Sequence, residues 1–253
     1  MSANKWHFYT GTILNPKNDT KCEHFVFGML VVKSNKIHDV LSLKRGLIKY
    51  KKHINATNTS NFPNSVIMPG FYDMHFHWVQ DDVREMPKDS LLEWLEKHTF
   101  PTEMKFSDAK YAIRKAAKFF KRLTSTGTVG GACYSSIHQC ALDAAFSKVK
   151  GNFVMGNVLM NMNSPAQLTQ KEDDAIALTK KLIKKYGKKY CFTPRFAIST
   201  TPNVMKQGSQ IADKAKCFKQ THLAETPQET DLAISIYRQI PGFEKVSSYT
   251  DND

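Results

Sequence analysis

Two histidines that could bind the same metal ion, His75 and His77, stand two residues apart at the end of an apolar run. On a strand, residues at i and i+2 point to the same face, so this spacing aims both imidazoles at one point. Imidazole is a preferred ligand of zinc and of several other transition metals. A lone His-x-His pair also fits two unrelated histidines in a turn, so the rest of the chain must decide between these interpretations.

Further polar residues fall where other strands are predicted to end. Gln80 follows the first strand, Arg195 lies near the end of the fourth, and the fifth ends with His222 and Glu225. In parallel α/β folds the reactive groups gather at the carboxyl ends of the strands. Three histidines at two strand ends, with a carboxylate three residues after the last one, are typical of a metal-dependent hydrolase.

The elements that would position these side chains alternate between strand and helix from Val66 onward. Strands are predicted at 66–77, 127–134, 152–160, 190–198 and 217–225, with one or two helices after each. This alternation indicates parallel βαβ units with right-handed crossovers. A closed (β/α)8 barrel needs eight such units in about 250 residues. Five units therefore predict an incomplete (β/α)8 TIM-type barrel over residues 69–253, with an open α/β sheet as the alternative.

The residues before the predicted barrel, 1–68, indicate a small β-rich domain. Strands at 25–33 and 37–40 flank Ser34-Asn35-Lys36, which predicts a hairpin. A short helix is expected over 43–52, and residues 55–61 have the composition of a polar linker.

Composition narrows the class of protein. The formal charge is +13, but the lysines are spread in pairs along predicted helices and no nucleic-acid motif is recognisable, so a solvated basic surface is favoured over a phosphate-binding stripe. Such a surface could still steer anionic ligands. No apolar stretch reaches the about 18 residues of a membrane span, and the start lacks the layout of a secretory signal. Because the five cysteines are scattered and unpatterned, we expect a cytoplasmic protein. From the charge pattern and the lack of an apolar span we expect neither a membrane nor a nucleic-acid partner.

Several segments carry a family resemblance. Residues 69–77, Pro-Gly-Phe-Tyr-Asp-Met-His-Phe-His, resemble the amidohydrolase superfamily signature Pro-Gly-Phe-x-Asp-x-His-x-His. Within that superfamily the chain is similar to guanine deaminases, whose His-x-x-Gln, Leu-Leu-x-Trp-Leu, Thr-Phe-Pro-x-Glu, Thr-Pro-Arg-Phe and His-x-x-Glu segments are matched in order at 77–80, 91–95, 99–103, 193–196 and 222–225. The matches are collinear, and together they are more specific than any one of them.

The resemblance implies a zinc centre. His75, His77 and His222 would bind one zinc ion, iron not being excluded, and would leave a coordination position for water, as catalytic zinc requires. The hydroxide formed there would attack C2 of guanine to give xanthine and ammonia, and Glu225 would shuttle the protons.

The resemblance also implies a purine-binding set and a homodimer. Gln80 and Arg195 would read the polar edge of the purine, and Phe196 would pack on its ring face. Each assignment has an alternative: the histidines as core or loop residues without metal, Glu225 as the acidic start of a helix, and Arg195 in a surface ion pair. His138, after the second strand, is expected to be structural rather than to line the pocket.

The chain also departs from the family pattern. Family members continue through strands six to eight, which supply a further histidine and an aspartate that have no counterpart here. We therefore expect the chain alone to be a poor or inactive deaminase, with a truncated barrel. Two alternatives stay open: an amidohydrolase acting on another aminated or chlorinated heterocycle, and a non-catalytic zinc-binding or interaction remnant. The His-x-Glu and Pro-Cys-x-x-Cys pattern of cytidine-type zinc deaminases is absent.

Overall fold

The computed structural model describes residues 5–87 and 90–247, and the chain divides into two compact units with the boundary after Gly70. We call residues up to Gly70 the N-terminal unit and those from Phe71 onward the barrel unit. All the candidate site residues belong to the barrel unit. Within the described residues, no helix is long and apolar enough to cross a membrane.

The N-terminal unit is a four-stranded sheet in the order β3-β2-β1-β4. Its elements are β1 (Trp6–Pro16), β2 (Cys22–Lys33), β3 (Lys36–Ser42), α1 (Leu43–Lys49) and β4 (Thr59–Ile67). β2 pairs antiparallel with β1 and β3, whereas β4 lies parallel to β1. The hairpin between β2 and β3 is confirmed; Ser34 and Asn35 at its tip have φ values of 50° and 62°, as type I′ turns require.

The predicted polar linker over 55–61 is partly wrong. Thr59, Ser60 and Asn61 belong to β4 and pair with residues of β1. Because their side chains are polar, these residues show no apolar alternation, and the sequence alone did not indicate the strand that their backbone hydrogen bonds form. Phe8, Met29, Val31 and Leu41 of this sheet form a small core with Tyr50, the residue after α1.

The barrel unit contains five parallel strands, and each strand lies beside the next one along the chain. The strands are β5 (Phe71–His77), β6 (Thr128–Ser135), β7 (Asn152–Leu159), β8 (Cys191–Pro194) and β9 (Phe218–Lys219). The helices are α2 (Leu91–Trp94), α3 (Phe100–Met104), α4 (Ala109–Ser125), α5 (Gln139–Lys148), α6 (Glu172–Tyr186), α7 (Pro202–Lys214) and α8 (Pro227–Tyr237). This is the order that consecutive βα units of a barrel produce.

Helix α4 shows how the sequence pattern builds the core of the barrel unit. Ala112, Ala116, Phe119 and Phe120 recur at helical spacing and are all buried. They pack in one cluster with the buried face of α5 and with residues of β6 and β7. Trp78, the residue after β5, is 1% exposed; its indole N–H donates to Ser135 Oγ over 3.1 Å. This packing holds the carboxyl end of β5, where the histidine pair lies.

The structure corrects three strand boundaries. The predicted strand 66–77 is two strands, β4 and β5, separated by Met68-Pro69-Gly70; Pro69 has no N–H to donate to a ladder. The fourth strand ends at Pro194, so Arg195 follows it rather than belonging to it. The fifth pairs only at Phe218–Lys219, and beyond it Gln220 N and His222 N still donate to the oxygens of Phe192 and Arg195.

Candidate active site

Three imidazoles converge at the carboxyl ends of the parallel strands. His75 and His77 are in β5, and His222 lies three residues after β9. One ring nitrogen of each histidine lies within 4.8 Å of the corresponding nitrogens of the other two. Nε2 of His77 is 2.9 Å from Nε2 of His222. The structure therefore brings the three sequence-predicted histidines together.

The ring of His222 is oriented by the backbone of the neighbouring strand end. Nδ1 of His222 lies 2.6 Å from the carbonyl oxygen of Arg195, which also accepts the His222 backbone N–H over 3.0 Å. A carbonyl oxygen only accepts, so the proton of the neutral imidazole is on Nδ1. The lone pair is then on Nε2, the nitrogen that faces the cluster, as a metal ligand requires.

Burial keeps two of these histidines neutral. The pKa of His77 lies well below 6.5, chiefly because burial disfavours the imidazolium and secondarily because His222, Arg195 and His75 add positive charge. Burial also lowers the pKa of His222, and the hydrogen bond to the Arg195 carbonyl partly offsets the shift. Neutral imidazole is the form that coordinates a metal.

The ring of Tyr134, near the end of β6, packs against the rings of all three histidines. Its ring centroid lies 4.5 Å from that of His77, nearly parallel to it, and 4.9 Å and 4.6 Å from those of His75 and His222. The tyrosine is 1% exposed, and burial raises the pKa of its hydroxyl. Sequence analysis missed this residue; its position at the end of the predicted second strand was the available signal.

Arg195 and Gln80 are joined by a carboxylate that sequence analysis assigned no role. Glu103 in α3 is fully buried, and its two oxygens accept from Arg195 Nη1 over 2.9 Å and from Gln80 Nε2 over 3.0 Å. Arg195 is 2% exposed, so the predicted alternative of a surface ion pair is wrong. The guanidinium carbon also lies 5.2 Å from the centroid of the Phe100 ring. Helix α3 thus holds Arg195 with a charge and with an aromatic face.

Glu225 lies in the turn that leads into α8. Its backbone N–H donates to Glu229 Oε2 over 2.7 Å, while Thr226 Oγ1 accepts from the Glu229 N–H over 3.2 Å, a variant of the capping box. Ala224 before it has a φ of 51°, an unusual value for a residue with a Cβ. These contacts fix the backbone and leave the Glu225 side chain exposed at the cavity.

A cavity of about 170 Å³ collects the candidate residues. It is lined by His75, His77, Gln80, Leu91, Trp94, Leu95, Arg195, Phe196, His222 and Glu225. Phe196 is 4% exposed, and its ring lies 6.5 Å from that of His222 in an edge-on arrangement. His138 is not among the lining residues; burial lowers its pKa, against the opposing effect of the Glu103 charge.

The sequence match defines the class of protein. Residues 66–246 match the model of the amidohydrolase family, so the chain belongs to that family. Five parallel strands with the site at their carboxyl ends agree with it, and the predicted incomplete (β/α)8 TIM-type barrel is confirmed.

Within the family the chain is similar to guanine deaminases, which confirms the predicted resemblance. The guanine deaminase of Escherichia coli strain K12 is 30% identical over 244 residues, which are 92% of this chain and 55% of that protein. The enzyme of Dictyostelium discoideum is 32% identical over 197 residues, 74% of this chain and 42% of that protein. The crystal structure of the C. acetobutylicum guanine deaminase with bound guanine has a TM-score of 0.84 at 28% identity, covering 92% of this chain and 57% of that one. The chain spans about half the length of the curated relatives it matches.

Proposed function

We propose that this chain carries the metal-binding and purine-binding part of a guanine deaminase site, which hydrolyses guanine to xanthine and ammonia. The observation that carries the proposal is one cavity in which three clustered imidazoles adjoin Arg195, Gln80 and Glu225. The guanine deaminases that the chain resembles supply the choice of substrate.

A zinc ion fits the donor set. Zinc takes three protein nitrogens at about 2.0–2.1 Å and leaves one position for water, so ligand nitrogens in a tetrahedral site stand about 3.3 Å apart. The 2.9 Å between Nε2 of His77 and Nε2 of His222 is within a few tenths of an ångström of that spacing, and the three ligand nitrogens all lie within 4.8 Å of one another. His75, His77 and His222 would hold the ion, and iron would suit the same imidazoles. When bound, zinc lowers the pKa of its water towards neutrality and so supplies hydroxide.

The side chains of the cavity then have distinct tasks. Arg195 and Gln80 bind the polar edge of the purine, and buried Phe196 packs against its ring and keeps water away. Glu225 takes one proton from the attacking water and gives it to the ring nitrogen; it then takes the second proton from the hydroxyl that has added to C2 and gives it to the departing amine, so that the carbonyl forms as ammonia leaves. A carboxylate that remains solvent-accessible can exchange these protons between turnovers.

The activity of this chain is proposed to be lower than that of the longer relatives. It covers 55% of the E. coli protein and 42% of the Dictyostelium one, so parts of those enzymes have no counterpart in the 253 residues. The proposal assigns metal binding and contact with the ring to residues of this chain, and this gives two separable measurements.

The experiment measures zinc and turnover on the same protein. The full chain is purified, its zinc content is determined by mass spectrometry, and guanine, adenine and a chlorinated triazine are offered as substrates. We expect one zinc per chain and slow conversion of guanine alone. His222→Ala should lose zinc and turnover, whereas Glu225→Gln should keep zinc and lose turnover. His24→Gln, an exposed histidine of β2, is the matched control.

Each contrary outcome removes a different part of the proposal. A protein that binds no zinc at neutral pH refutes the metal site. Faster conversion of the triazine than of guanine assigns the chain to another heterocycle, and zinc without turnover of any substrate makes it a non-catalytic zinc-binding protein.

We also propose that the protein acts in the cytoplasm as a homodimer. All five cysteines are free, which a reducing compartment maintains, and the dimer follows from the family resemblance. Light scattering of the full chain decides the oligomeric state, since a single species of monomer mass contradicts the dimer.

A further inference from the structure

Glu103 is a fully buried carboxylate for which the proposed chemistry has no task. It lies in α3, next to a π-helical turn at Leu95–Thr99, a distortion that is frequent at functional sites. Burying an ionised carboxylate is costly unless it is paired and hydrogen-bonded. Its two partners, Arg195 and Gln80, are the residues proposed to bind the purine.

The carboxylate constrains each partner in a different way. One guanidinium nitrogen of Arg195 donates to Glu103, and within the described residues the other two make no hydrogen bond, so their N–H groups are available to a ligand. Gln80 donates to Glu103 through its amide nitrogen, and its Oε1 has no hydrogen-bond partner among the described residues. The cavity wall therefore carries a free donor beside a free acceptor.

Two neighbours compete to set the orientation of the Gln80 amide. Its nitrogen lies 3.0 Å from Glu103 and 3.1 Å from Nδ1 of His77, whose role depends on the tautomer. With Nε2 of His77 as a metal ligand, its Nδ1 carries the proton and favours the amide oxygen, whereas an ionised carboxylate only accepts and favours the amide nitrogen. A charge-assisted hydrogen bond is also about twice as strong as a neutral one. Glu103 therefore decides which end of the amide is left for the ligand.

We propose that Glu103 is a positioning residue that fixes Arg195 as donor and Gln80 as acceptor, and so selects ring edges of the lactam type. A lactam edge offers an N–H next to a carbonyl oxygen, the complement of this pair. In the ring orientation that turns C2 towards the three histidines, an amidine edge, with a ring nitrogen next to an amino group, places its amino group against the Arg195 donor and its ring lone pair against the Gln80 acceptor. The selectivity rests on the proposed function, whereas the hold on the two side chains does not.

The first experiment measures binding of hypoxanthine, which has the lactam edge, and of adenine, which has the amidine edge, by calorimetry on the full chain. We expect the full chain to prefer hypoxanthine. Glu103→Gln keeps the size and one acceptor oxygen but places an amide N–H where Arg195 and Gln80 both donate. The preference for hypoxanthine should fall about tenfold, the effect of one hydrogen bond to a charged group. Glu103→Asp keeps the charge and should retain most of it. Thr179→Val, which removes a buried hydroxyl in α6, controls for lost stability and should retain all of it.

A second measurement does not depend on purine binding. The guanidinium N–H signals of Arg195, assigned with Arg195→Lys, are recorded by nitrogen-15 NMR in the full chain and in the Glu103→Gln and Thr179→Val variants. We expect signals in slow exchange that are lost in Glu103→Gln only. Unchanged signals in that variant overturn the inference whether or not a purine binds, as does an undiminished preference for hypoxanthine. A full chain that prefers adenine, with the NMR change as expected, refutes guanine as the substrate and leaves Glu103 as the residue that holds Arg195.

Discussion

Lowering the pH from 6.5 to 5.5 should destabilise the barrel unit through histidines that burial keeps neutral. The pKa of His77 lies well below 6.5, and the pKa values of His222 and His138 are also lowered, each chiefly by burial. In the unfolded chain these imidazoles have a pKa of about 6.5. Between that value and the folded pKa, the unfolded state binds protons that the folded state does not. Stability is therefore complete above pH 6.5 and is lost as the pH falls below it.

The size of the effect follows from the same linkage. A histidine that stays neutral in the fold and titrates at about 6.5 when unfolded removes about 1 kcal/mol from the free energy of unfolding between pH 6.5 and 5.5. His77 should contribute nearly this amount, and His222 and His138, whose pKa values are less lowered, less each. The carboxylates with lowered pKa, such as Asp39 and Asp143, have unfolded values near 4, so their loss begins at lower pH.

The assay is urea unfolding at several pH values with a chelator present, followed by the fluorescence of Trp78 and Trp94 in a Trp6→Phe background. Between pH 6.5 and 5.5 the His77→Gln variant should lose about 1 kcal/mol less unfolding free energy than the parent protein loses. His24→Gln, an exposed histidine of β2, should leave the slope unchanged. A parent slope that His77→Gln does not reduce would refute the reasoning, because His77 would then titrate alike in both states.

Three other substitutions, and one control, test the scaffold of the site. Gly131→Ala places a Cβ 1.8 Å from the Asp73 carbonyl oxygen at a φ of 151°, so it should cost more than about 3 kcal/mol or leave the protein insoluble. The control Gly187→Ala, with φ 56°, ψ −134° and no atom within 4 Å of the added Cβ, bears backbone strain alone and should cost about 1–3 kcal/mol. Trp78→Phe loses the indole hydrogen bond and packing, and urea unfolding should report a loss of about 1–3 kcal/mol. Thr226→Ala removes the N-cap of α8 and should cost about 1 kcal/mol with lower turnover of guanine; unchanged stability would show that the cap contributes nothing.

The sequence predicts the barrel unit well because its strands and helices carry strong periodicity. The helix over Ala109–Ser125 shows apolar residues at helical spacing, and β6 and β7 are short apolar runs bounded by turn residues. The same rule, reactive groups at the carboxyl ends of strands, selects the histidines and Arg195 from residues far apart in the chain. What tertiary structure adds is their mutual distance, which no local pattern contains.

Other features could not be predicted from local patterns. The segment 91–104 resembles ordinary helix, and its π-helical turn is visible only once Leu95 and Phe100 are packed against neighbouring elements. Glu103 ends the matched Thr-Phe-Pro-x-Glu segment, but no local pattern shows its contact with Arg195, 92 residues later in the chain. The residues after β9 pair through isolated backbone hydrogen bonds instead of a ladder, so the expected strand over 217–225 ends at Lys219.

Arg195 connects the purine-binding residues, through its side chain, with the histidine cluster, through its backbone carbonyl. Its side chain is fixed by Glu103, and its carbonyl oxygen holds both the backbone N–H and Nδ1 of His222. A shift of the Arg195 backbone would therefore move the third imidazole as well as the guanidinium, because both His222 contacts end on the same oxygen. Within Arg195, substitution at Glu103 acts on the side chain and not on the backbone, since the backbone N–H of Arg195 remains bonded to the carbonyl oxygen of Leu159 at the end of β7. Changes of the side chain should therefore alter ring-edge selectivity without altering zinc affinity, whereas changes that displace the strand end should alter both.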